Sequence, residues 1–248
     1  MIVVMVVGNK FKENKINFKK GFKTGLPVAI GYLPIALTFG LLARNSGLSF
    51  LNTFLMSVMV FAGASQFVAV NLVALGTGIG EVVLTTFILN FRHFLMSASL
   101  SQKLKDNIPP KWLFFLSFGI TDETFSVASM QNKDIEGFFL FGLNLISYSA
   151  WVIGSIFGHY LGASLPEIIQ SSMGIALYAM FIGLLVPNLK ESKTAVFTVL
   201  ITIIVSSSFY LLRNIVDISK GWEIVLVTII ASIIATIFFP EGVSGDEK

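Results

Sequence analysis

The sequence predicts an all-α integral membrane protein, a single bundle of seven or eight transmembrane helices. Hydrophobic residues make up 54% of the chain and charged residues only 12%. The mean hydropathy is +0.82, which is far more apolar than a soluble domain of this length. Runs of about 20 residues with few or no ionisable side chains recur along the chain, and a helix needs this length to cross a bilayer. The 248 residues suit one such bundle.

The predicted spans follow one another along most of the chain. Residues 25–43 contain no acidic, basic or histidine side chain and fit one helix. Residues 47–80 also contain none but are too long for one helix, so they are predicted to hold one span and a glycine-rich turn, or a re-entrant element. Further spans are predicted over residues 82–100, 112–130, 137–161, 168–186, 194–212 and 224–239. The total is eight spans, or seven if one segment is re-entrant.

The charges of the chain are concentrated before the first span. Six lysines lie there with only Glu13 to oppose them: Lys10, Lys12, Lys15, Lys19, Lys20 and Lys23. Directly before a membrane helix, such a run is typical of a cytoplasmic anchor on anionic membrane lipid, and we expect no nucleic-acid partner. The predicted organisation is a basic cytoplasmic N-terminal segment (1–24), a transmembrane transporter domain (25–240) and a C-terminal tail (241–248).

The orientation of the loop 101–111 stays open at this stage. With eight full spans and a cytoplasmic N-terminus, this loop and its lysines fall outside, against the positive-inside tendency. One re-entrant element within residues 47–80 moves the loop inside, but it also places Lys190 and Lys193 outside.

Four ionisable residues fall within two predicted spans: Arg92 and His93 in one, Asp122 and Glu123 in the other. One charge at mid-bilayer costs about 2.5–3.5 kcal/mol, and four unpaired charges cost on the order of 10 kcal/mol. They are therefore predicted to face one another, water or a ligand. Arg92 can hold a carboxylate, either of a substrate or of one of the acids, and a purely structural ion pair is the alternative. His93, Asp122 and Glu123 are candidates for proton coupling.

Two further groups complete the predicted substrate-binding residues. Asn90 lies three positions before His93 and shares its helix face. In the patch FAGASQF (61–67), small residues and a glutamine replace the expected aliphatic side chains. If the helix is broken there, the amides of Gly63, Ala64, Ser65 and Gln66 and the half-helix dipole can hold a carboxylate. Close helix packing, with Gln66 bonded to a neighbouring helix, is the alternative.

Two patterns concern packing and internal symmetry. Small residues recur every four positions in one span, and we call them the small-residue stripe: Ala150, Gly154, Gly158 and Gly162. This spacing predicts close packing against a neighbouring helix. A loose similarity at an offset of about 115 residues, which pairs Tyr32 with Tyr148 and residues 61–67 with 178–184, suggests an internal repeat.

Several enzyme classes lack their sequence signals. The chain contains no cysteine, which excludes disulfides and thiolate metal sites, and it has no P-loop, HExxH or dinucleotide-binding motif. We expect no cofactor, no metal and no catalytic centre. One enzymatic alternative stays open, an intramembrane serine hydrolase that uses Ser65 with His93 or His159.

Four blocks of sequence resemble the AzlC family in order and spacing. They are GLPVAIGYLPIALTFGLLA (25–43), FAGASQF (61–67), NFRHFLMSASLS (90–101) and FGITDETFSVA (118–128). The resemblance covers residues 25–186 well and the last spans weakly. It implies a multi-pass permease of the cytoplasmic (inner) membrane that exports branched-chain amino acids with a small membrane partner, AzlD.

The resulting hypothesis is a secondary transporter that exports valine, leucine, isoleucine or a similar amino acid. The carboxylate of the substrate is expected on Arg92 or on the amides near Gly63. Its ammonium group is expected on Asp122 or Glu123, and its side chain among Phe, Leu and Met residues. The second hypothesis is a membrane channel or a structural assembly subunit.

Overall fold

The computed structural model describes residues 2–104, 108–131, 134–161, 182–183, 185–186, 189–190, 192–212 and 218–239, with side chains from residue 13 onward. The helices in these ranges are α1 (Ile2–Asn45), α2 (Phe50–Met59), α3 (Gly63–Ala74), α4 (Ile79–Ser101), α5 (Pro110–Phe118), α6 (Asp122–Ser129), α7 (Gly137–Leu161), α8 (Lys193–Leu212) and α9 (Lys220–Phe238). Five segments of this described chain are long and apolar enough to cross a membrane: Glu13–Asn45 of α1, and all of α4, α7, α8 and α9. The all-helical membrane class is as predicted. The predicted span 168–186 lies almost wholly outside the described residues.

Helices α1 and α7 form the central pair of the bundle and run parallel to each other. Their backbones touch at glycines. A Cβ at Gly158 would lie 2.0 Å from the carbonyl oxygen of Leu37, and at the other end a Cβ at Gly142 would lie 2.3 Å from that of Phe18. The small-residue stripe of α7 therefore packs against α1, as close helix approach in membranes requires. Its last member, Gly162, lies outside the described residues.

The predicted span within residues 47–80 is instead a pair of short helices, α2 and α3, that turns back on itself. Gln66 Nε2 donates to Ser57 Oγ at 3.5 Å, although nine residues of straight helix would separate them by about 13 Å. The start of α2 lies at the C-terminal end of α7, where the rings of Phe50 and Tyr160 are 5.0 Å apart. We call this pair hairpin I. α3 runs back along the C-terminal half of α1, where the rings of Phe39 and Phe67 are 5.6 Å apart, so both ends of the hairpin lie on the same side of the bundle.

Local sequence signals set the limits of hairpin I. Gly47 has a φ of +82°, which allows the tight turn after α1. Ser49 caps α2, because its side chain accepts a hydrogen bond from the amide of Asn52. Gly76, with a φ of +72°, ends α3 in the left-handed conformation usual after a helix. The break predicted around residues 63–66 is found at residues 60–62, just before Gly63.

The predicted span over residues 112–130 is also a pair of short helices, α5 and α6. α5 begins a few residues after α4 ends, and its last turn reaches the middle of α7, where Asn144 Nδ2 donates to the carbonyl of Leu116 at 2.8 Å. α6 then returns to its starting face, because Lys103 Nζ donates to the carbonyl of Ser129 at 3.1 Å. We call this pair hairpin II. The prediction of one uninterrupted helix here is wrong, since residues 119–121 separate the two halves.

The last two helices form an antiparallel pair beside α4. α9 begins next to the first turn of α4, where Glu81 Oε1 accepts a hydrogen bond from the amide of Trp222 at 2.9 Å. This carboxylate caps the N-terminus of α9. α8 begins at the other end of α9, because the rings of Phe197 and Phe238 are 5.3 Å apart.

These positions place the lysine-rich segments on one face of the membrane. The end of α6 lies beside α1, where Lys20 Nζ is 3.5 Å from Gln131 Oε1. Residues 102–104, the start of α5 and the start of α8 lie on the same face, with Lys103, Lys111 and Lys193. The positive-inside tendency predicts that this face is the cytoplasmic one. Because both hairpins are re-entrant, the conflict between the loop 101–111 and Lys193 disappears.

The order of elements repeats once, with a period of about 60 residues. α1 and hairpin I form the first unit, and α4 and hairpin II form the second. Each unit has one crossing helix and one re-entrant hairpin, so the second unit has the opposite orientation. The longer predicted offset pairs Tyr32 of α1 with Tyr148 of the parallel helix α7. Its remaining counterparts at residues 162–164 and 178–184 lie mostly outside the described residues.

Candidate functional site

The tips of the two hairpins meet inside the bundle. Phe61 in the tip of hairpin I and Phe118 at the end of α5 have ring centroids 6.4 Å apart. The φ of Phe61 is +43°, a left-handed conformation that costs a non-glycine residue about 1–2 kcal/mol. Its ring is buried and packs edge-on against Tyr148 at 5.1 Å. This aromatic packing offsets the backbone strain.

A cavity beside the two tips brings together most of the predicted site residues. Its lining is Tyr32, Ile35, Phe61, Ala62, Gly63, Ala64, Arg92, His93, Thr121, Asp122, Glu123 and Trp151. The volume open to a water-sized molecule is about 20 Å³, enough for one or two water molecules and too small for an amino acid. A larger groove of about 990 Å³ follows the outer side of α5 and α7, but none of the predicted site residues lines it.

Arg92 and Asp122 form an ion pair at the edge of this cavity. Arg92 Nη1 lies 3.0 Å from Asp122 Oδ2, and the side chains are 37% and 30% exposed. The Nε atom of Arg92 is buried and has no hydrogen-bond partner among the described residues. Since a guanidinium group can bind a carboxylate through two N–H groups, Arg92 keeps unused donor capacity.

Glu123 has a different set of partners from its neighbour. Tyr32 Oη donates to Glu123 Oε2 at 2.5 Å and lies 2.6 Å from Thr121 Oγ1. Tyr32 is only 6% exposed. The two adjacent acids therefore diverge, as side chains about 100° apart on a helix do. Asp122 contacts a cation on α4, and Glu123 contacts a hydroxyl group on α1.

The two half-helices that begin at the cavity are capped differently. At the start of α6, the side chain and amide of Thr121 exchange hydrogen bonds with those of Thr124 in a capping box. At the start of α3, Ala62 provides no side-chain cap. The first amides of an α-helix have no partner within the helix, and Gly63 and Ala64 line the cavity. The positive end of the α3 dipole therefore faces this space.

Ser65 and Gln66 do not line the cavity. Ser65 Oγ donates to the carbonyl of Ala62 at 3.0 Å. Gln66 Oε1 accepts from the amide of Ala62 at 3.2 Å and from Trp151 Nε1 at 3.0 Å, and both residues are 1% exposed. The Gln66 side chain holds the tip of hairpin I against α7, and Ser65 bonds within the tip itself. This arrangement matches the packing alternative for Gln66 and not a direct substrate contact.

Asn90 is not brought to the cavity either. It lines a separate surface pocket of about 260 Å³ with Phe87, Phe91 and Phe94. Because it precedes Arg92 by two residues, it lies about 200° around the helix from Arg92. Its Oδ1 atom is buried without a partner among the described residues.

The histidines occupy two distant places. His93 lines the cavity, and its Nε2 atom has no hydrogen-bond partner in the described part of the chain. His159 lies at the end of α7, where its Nδ1 atom is 3.0 Å from Thr53 Oγ1. The hydrolase alternative requires a hydrogen bond from Ser65 to one of these rings, and within the described ranges Ser65 bonds to Ala62 instead.

Six lining residues of the cavity were not among the predicted site residues, and three of these carry polar groups: Tyr32, Thr121 and Trp151. Tyr32 carries a weak signal, since it is a polar aromatic side chain within a predicted span and close to Pro34. Thr121 precedes the two acids and can be identified as a helix cap only if a helix begins there. Trp151 has no such signal, because an aromatic residue within a span is ordinary.

In comparisons with known proteins, the segment that contains this cavity matches one protein family. The family described as "AzlC protein" matches residues 27–165, a range that contains every lining residue of the cavity. No solved structure matches the chain.

Three relatives illustrate the range of similarity. An "Uncharacterized membrane protein" of Archaeoglobus fulgidus is 39% identical over 175 residues, which cover 70% of this chain and 76% of that protein. "Inner membrane protein YgaZ" of Escherichia coli is 30% identical over 184 residues, covering 71% and 75%. "Branched-chain amino acid transport protein AzlC" of Bacillus subtilis is 27% identical over 189 residues, covering 75% and 73%.

Proposed function

We propose that this chain, which belongs to the AzlC family, is a secondary transporter that exports branched-chain amino acids across the cytoplasmic membrane. The name of the Bacillus subtilis relative supports the substrate class. The observation that carries the proposal is the Arg92–Asp122 ion pair at the edge of a cavity between two broken helices. In transporters, substrate sites near the bilayer midplane are built from such helices.

The substrate site is proposed to work by replacement of this ion pair. An amino acid is a zwitterion, so its carboxylate can take the place of Asp122 on Arg92 while its ammonium group takes the place of Arg92 on Asp122. Both charges then keep a partner, which avoids the cost of an unpaired charge in a membrane. The free amides at the start of α3 provide further donors for the carboxylate.

The apolar part of the cavity supports a branched aliphatic side chain. Ile35, Phe61 and Trp151 line it opposite the charged groups. A hydrophobic pocket discriminates by size, at about 1–3 kcal/mol per methylene group. Glycine at position 63 keeps space in this pocket, because a Cβ there would lie 2.8 Å from the Trp151 ring.

Transport requires the closed cavity to open to each face in turn. The two hairpins enter from opposite faces and meet at the cavity, so movement of either hairpin gives access from its own face. An inverted repeat supports such alternation, because its two units exchange roles between the inward-open and outward-open forms.

A small AzlD-like membrane subunit is proposed as the partner. The observation that supports a helical partner is the outer face of α4, where Phe87, Phe91 and Phe94 are exposed around the unpaired Oδ1 atom of Asn90. A polar atom of this kind is often satisfied by a neighbouring membrane helix. Co-purification of the two proteins, compared between wild type and Asn90→Ala, tests the contact; equal recovery of the partner argues against this face.

The transport proposal is tested by efflux from proteoliposomes loaded with labelled leucine, valine or isoleucine. Arg92→Gln and Asp122→Asn are each expected to reduce efflux at least tenfold. The matched control is Lys220→Gln, which breaks an ion pair of 3.2 Å away from the cavity and is expected to transport normally. Wild-type rates in both cavity variants contradict the proposed site. Flux that does not saturate with substrate indicates a channel.

A further inference from the structure

The two acids of the cavity differ in whether they can gain a proton without disrupting their contacts. Asp122 is paired with the guanidinium group of Arg92 at 3.0 Å. A proton on Asp122 would leave that cation, whose Nε atom already lacks a partner, without its counter-charge. This outcome is expensive within a membrane. The ion pair with Arg92 therefore disfavours Asp122 as the carrier of a transported proton.

Glu123 is held by groups that can reverse their hydrogen bonds. With Glu123 ionised, the Tyr32 hydroxyl donates to Oε2 and the Thr121 hydroxyl donates to Tyr32 Oη at 2.6 Å. With Glu123 protonated, its new O–H donates to Tyr32 Oη, and the Tyr32 hydroxyl turns to donate to Thr121 Oγ1. The chain then ends on Thr124, since Thr121 Oγ1 and Thr124 Oγ1 are 3.3 Å apart. Every hydroxyl group keeps one donor bond in both states.

The charged and titratable groups around Glu123 come from three helices. Tyr32 faces it from α1, Arg92 and His93 line the same cavity from α4, and Asp122 precedes it on α6. Within the described residues the only hydrogen-bond donor to Glu123 is a neutral hydroxyl group, while the one cation at the cavity is paired with Asp122. Glu123 is thus separated from the charge exchange that is proposed for the substrate.

We infer that Glu123 carries the proton that is coupled to amino-acid export, and that Tyr32 and Thr121 are the positioning residues that accommodate both of its protonation states. The inference rests on the proposed function, because it assigns the coupling site of that transporter. One proton adds to Glu123 Oε2 when the cavity is open to one face and leaves to water when it is open to the other. A zwitterion has no net charge, so this proton supplies the driving force.

The test separates exchange from net transport in proteoliposomes. Exchange of labelled for unlabelled leucine needs no gradient, whereas net accumulation against a concentration difference needs the imposed pH gradient. In Glu123→Gln, gradient-driven accumulation is expected to fall to the level of protein-free vesicles, while exchange falls less than about tenfold. In Asp122→Asn both are expected to be lost. Equal loss of exchange and accumulation in Glu123→Gln overturns the assignment, as does accumulation at the wild-type level.

A second variant is used if the Glu123→Gln protein does not fold or is not inserted into the membrane. Tyr32→Phe removes the hydroxyl group but leaves the ring, which packs edge-on against Trp151 at 5.6 Å. The pH profile of net transport is expected to shift by at least half a unit, with the exchange rate at a fixed pH changed less than threefold. An unchanged pH profile overturns the positioning role. Absence of any leucine flux in the wild type contradicts the proposed function itself, which distinguishes the two failures.

Discussion

Substitution of the glycine contacts between α1 and α7 gives a sharp test of the fold. Gly158→Ala would place a Cβ 2.0 Å from the carbonyl oxygen of Leu37 and 2.8 Å from its Cα. Both neighbours are backbone atoms, so no side chain can rotate away and the two helices must move apart by about 1 Å or more. Overpacking of this kind costs about 1–3 kcal/mol.

The matched control lies on α1 itself. A Cβ at Gly31 has no atom within 4 Å, so Gly31→Ala is expected to be neutral or to stabilise the helix by up to about 1 kcal/mol. Thermal denaturation in detergent, followed by size-exclusion chromatography, measures both variants. We expect a lower melting temperature for Gly158→Ala and an equal or higher one for Gly31→Ala. Equal melting temperatures in the two variants would show that α1 and α7 do not touch at Gly158.

The remaining predictions concern the hairpins. Because the chain has no cysteine, Thr77→Cys is expected to react in intact cells with a membrane-impermeant thiol reagent, whereas Lys103→Cys reacts only after permeabilisation. Reaction of Thr77→Cys only after permeabilisation, with Lys103→Cys reactive in intact cells, would mean that hairpin I crosses the membrane. Gly63→Ala directs a methyl group at the indole ring of α7, 2.8 Å away, and is expected to reduce leucine efflux at least threefold; undiminished efflux refutes the close approach. Tyr148→Phe removes the donor to a carbonyl of α2 and is expected to lower stability by about 1–3 kcal/mol. Tyr210→Phe, at an exposed position, is the control for Tyr148→Phe. An equal loss of stability in the two variants would show that the hydrogen bond from Tyr148 to Val58 does not stabilise the protein.

The crossing helices could be predicted from the sequence, and a re-entrant element within residues 47–80 was one of two alternatives, but hairpin II could not be predicted. Hydropathy measures how long an apolar segment is and carries no information on the direction in which it runs. Residues 112–130 are as apolar as a span, and the chain turns back only because residues 119–121 leave the helical conformation. The glycine that signals a break in the other hairpin, Gly63, becomes the first residue of α3, while Phe61 adopts the left-handed φ.

The charged part of the candidate site could be predicted from the sequence. The cost of burying Arg92, His93, Asp122 and Glu123 in a membrane requires them to converge, and all four line one cavity. Which acid pairs with Arg92 depends on how α4 and α6 are placed around each other, and neither composition nor spacing determines this. The contact of Glu123 with Tyr32 depends on the path of α1, which the sequence of hairpin II cannot specify.

A single helix supplies the hydrogen bonds that both hairpins need in their last turns. On α7, Asn144 donates to the final turn of α5, and Tyr148, one helical turn further, donates to the carbonyl of Val58 near the end of α2 at 2.9 Å. Neither carbonyl could find water in the hydrocarbon layer. Outward movement of one hairpin therefore displaces α7 or breaks the hydrogen bond between them. A displacement of α7 also moves its partner in the hairpin on the opposite face. The movements of the two hairpins are thus coupled through Asn144 and Tyr148, which lie four residues apart on α7.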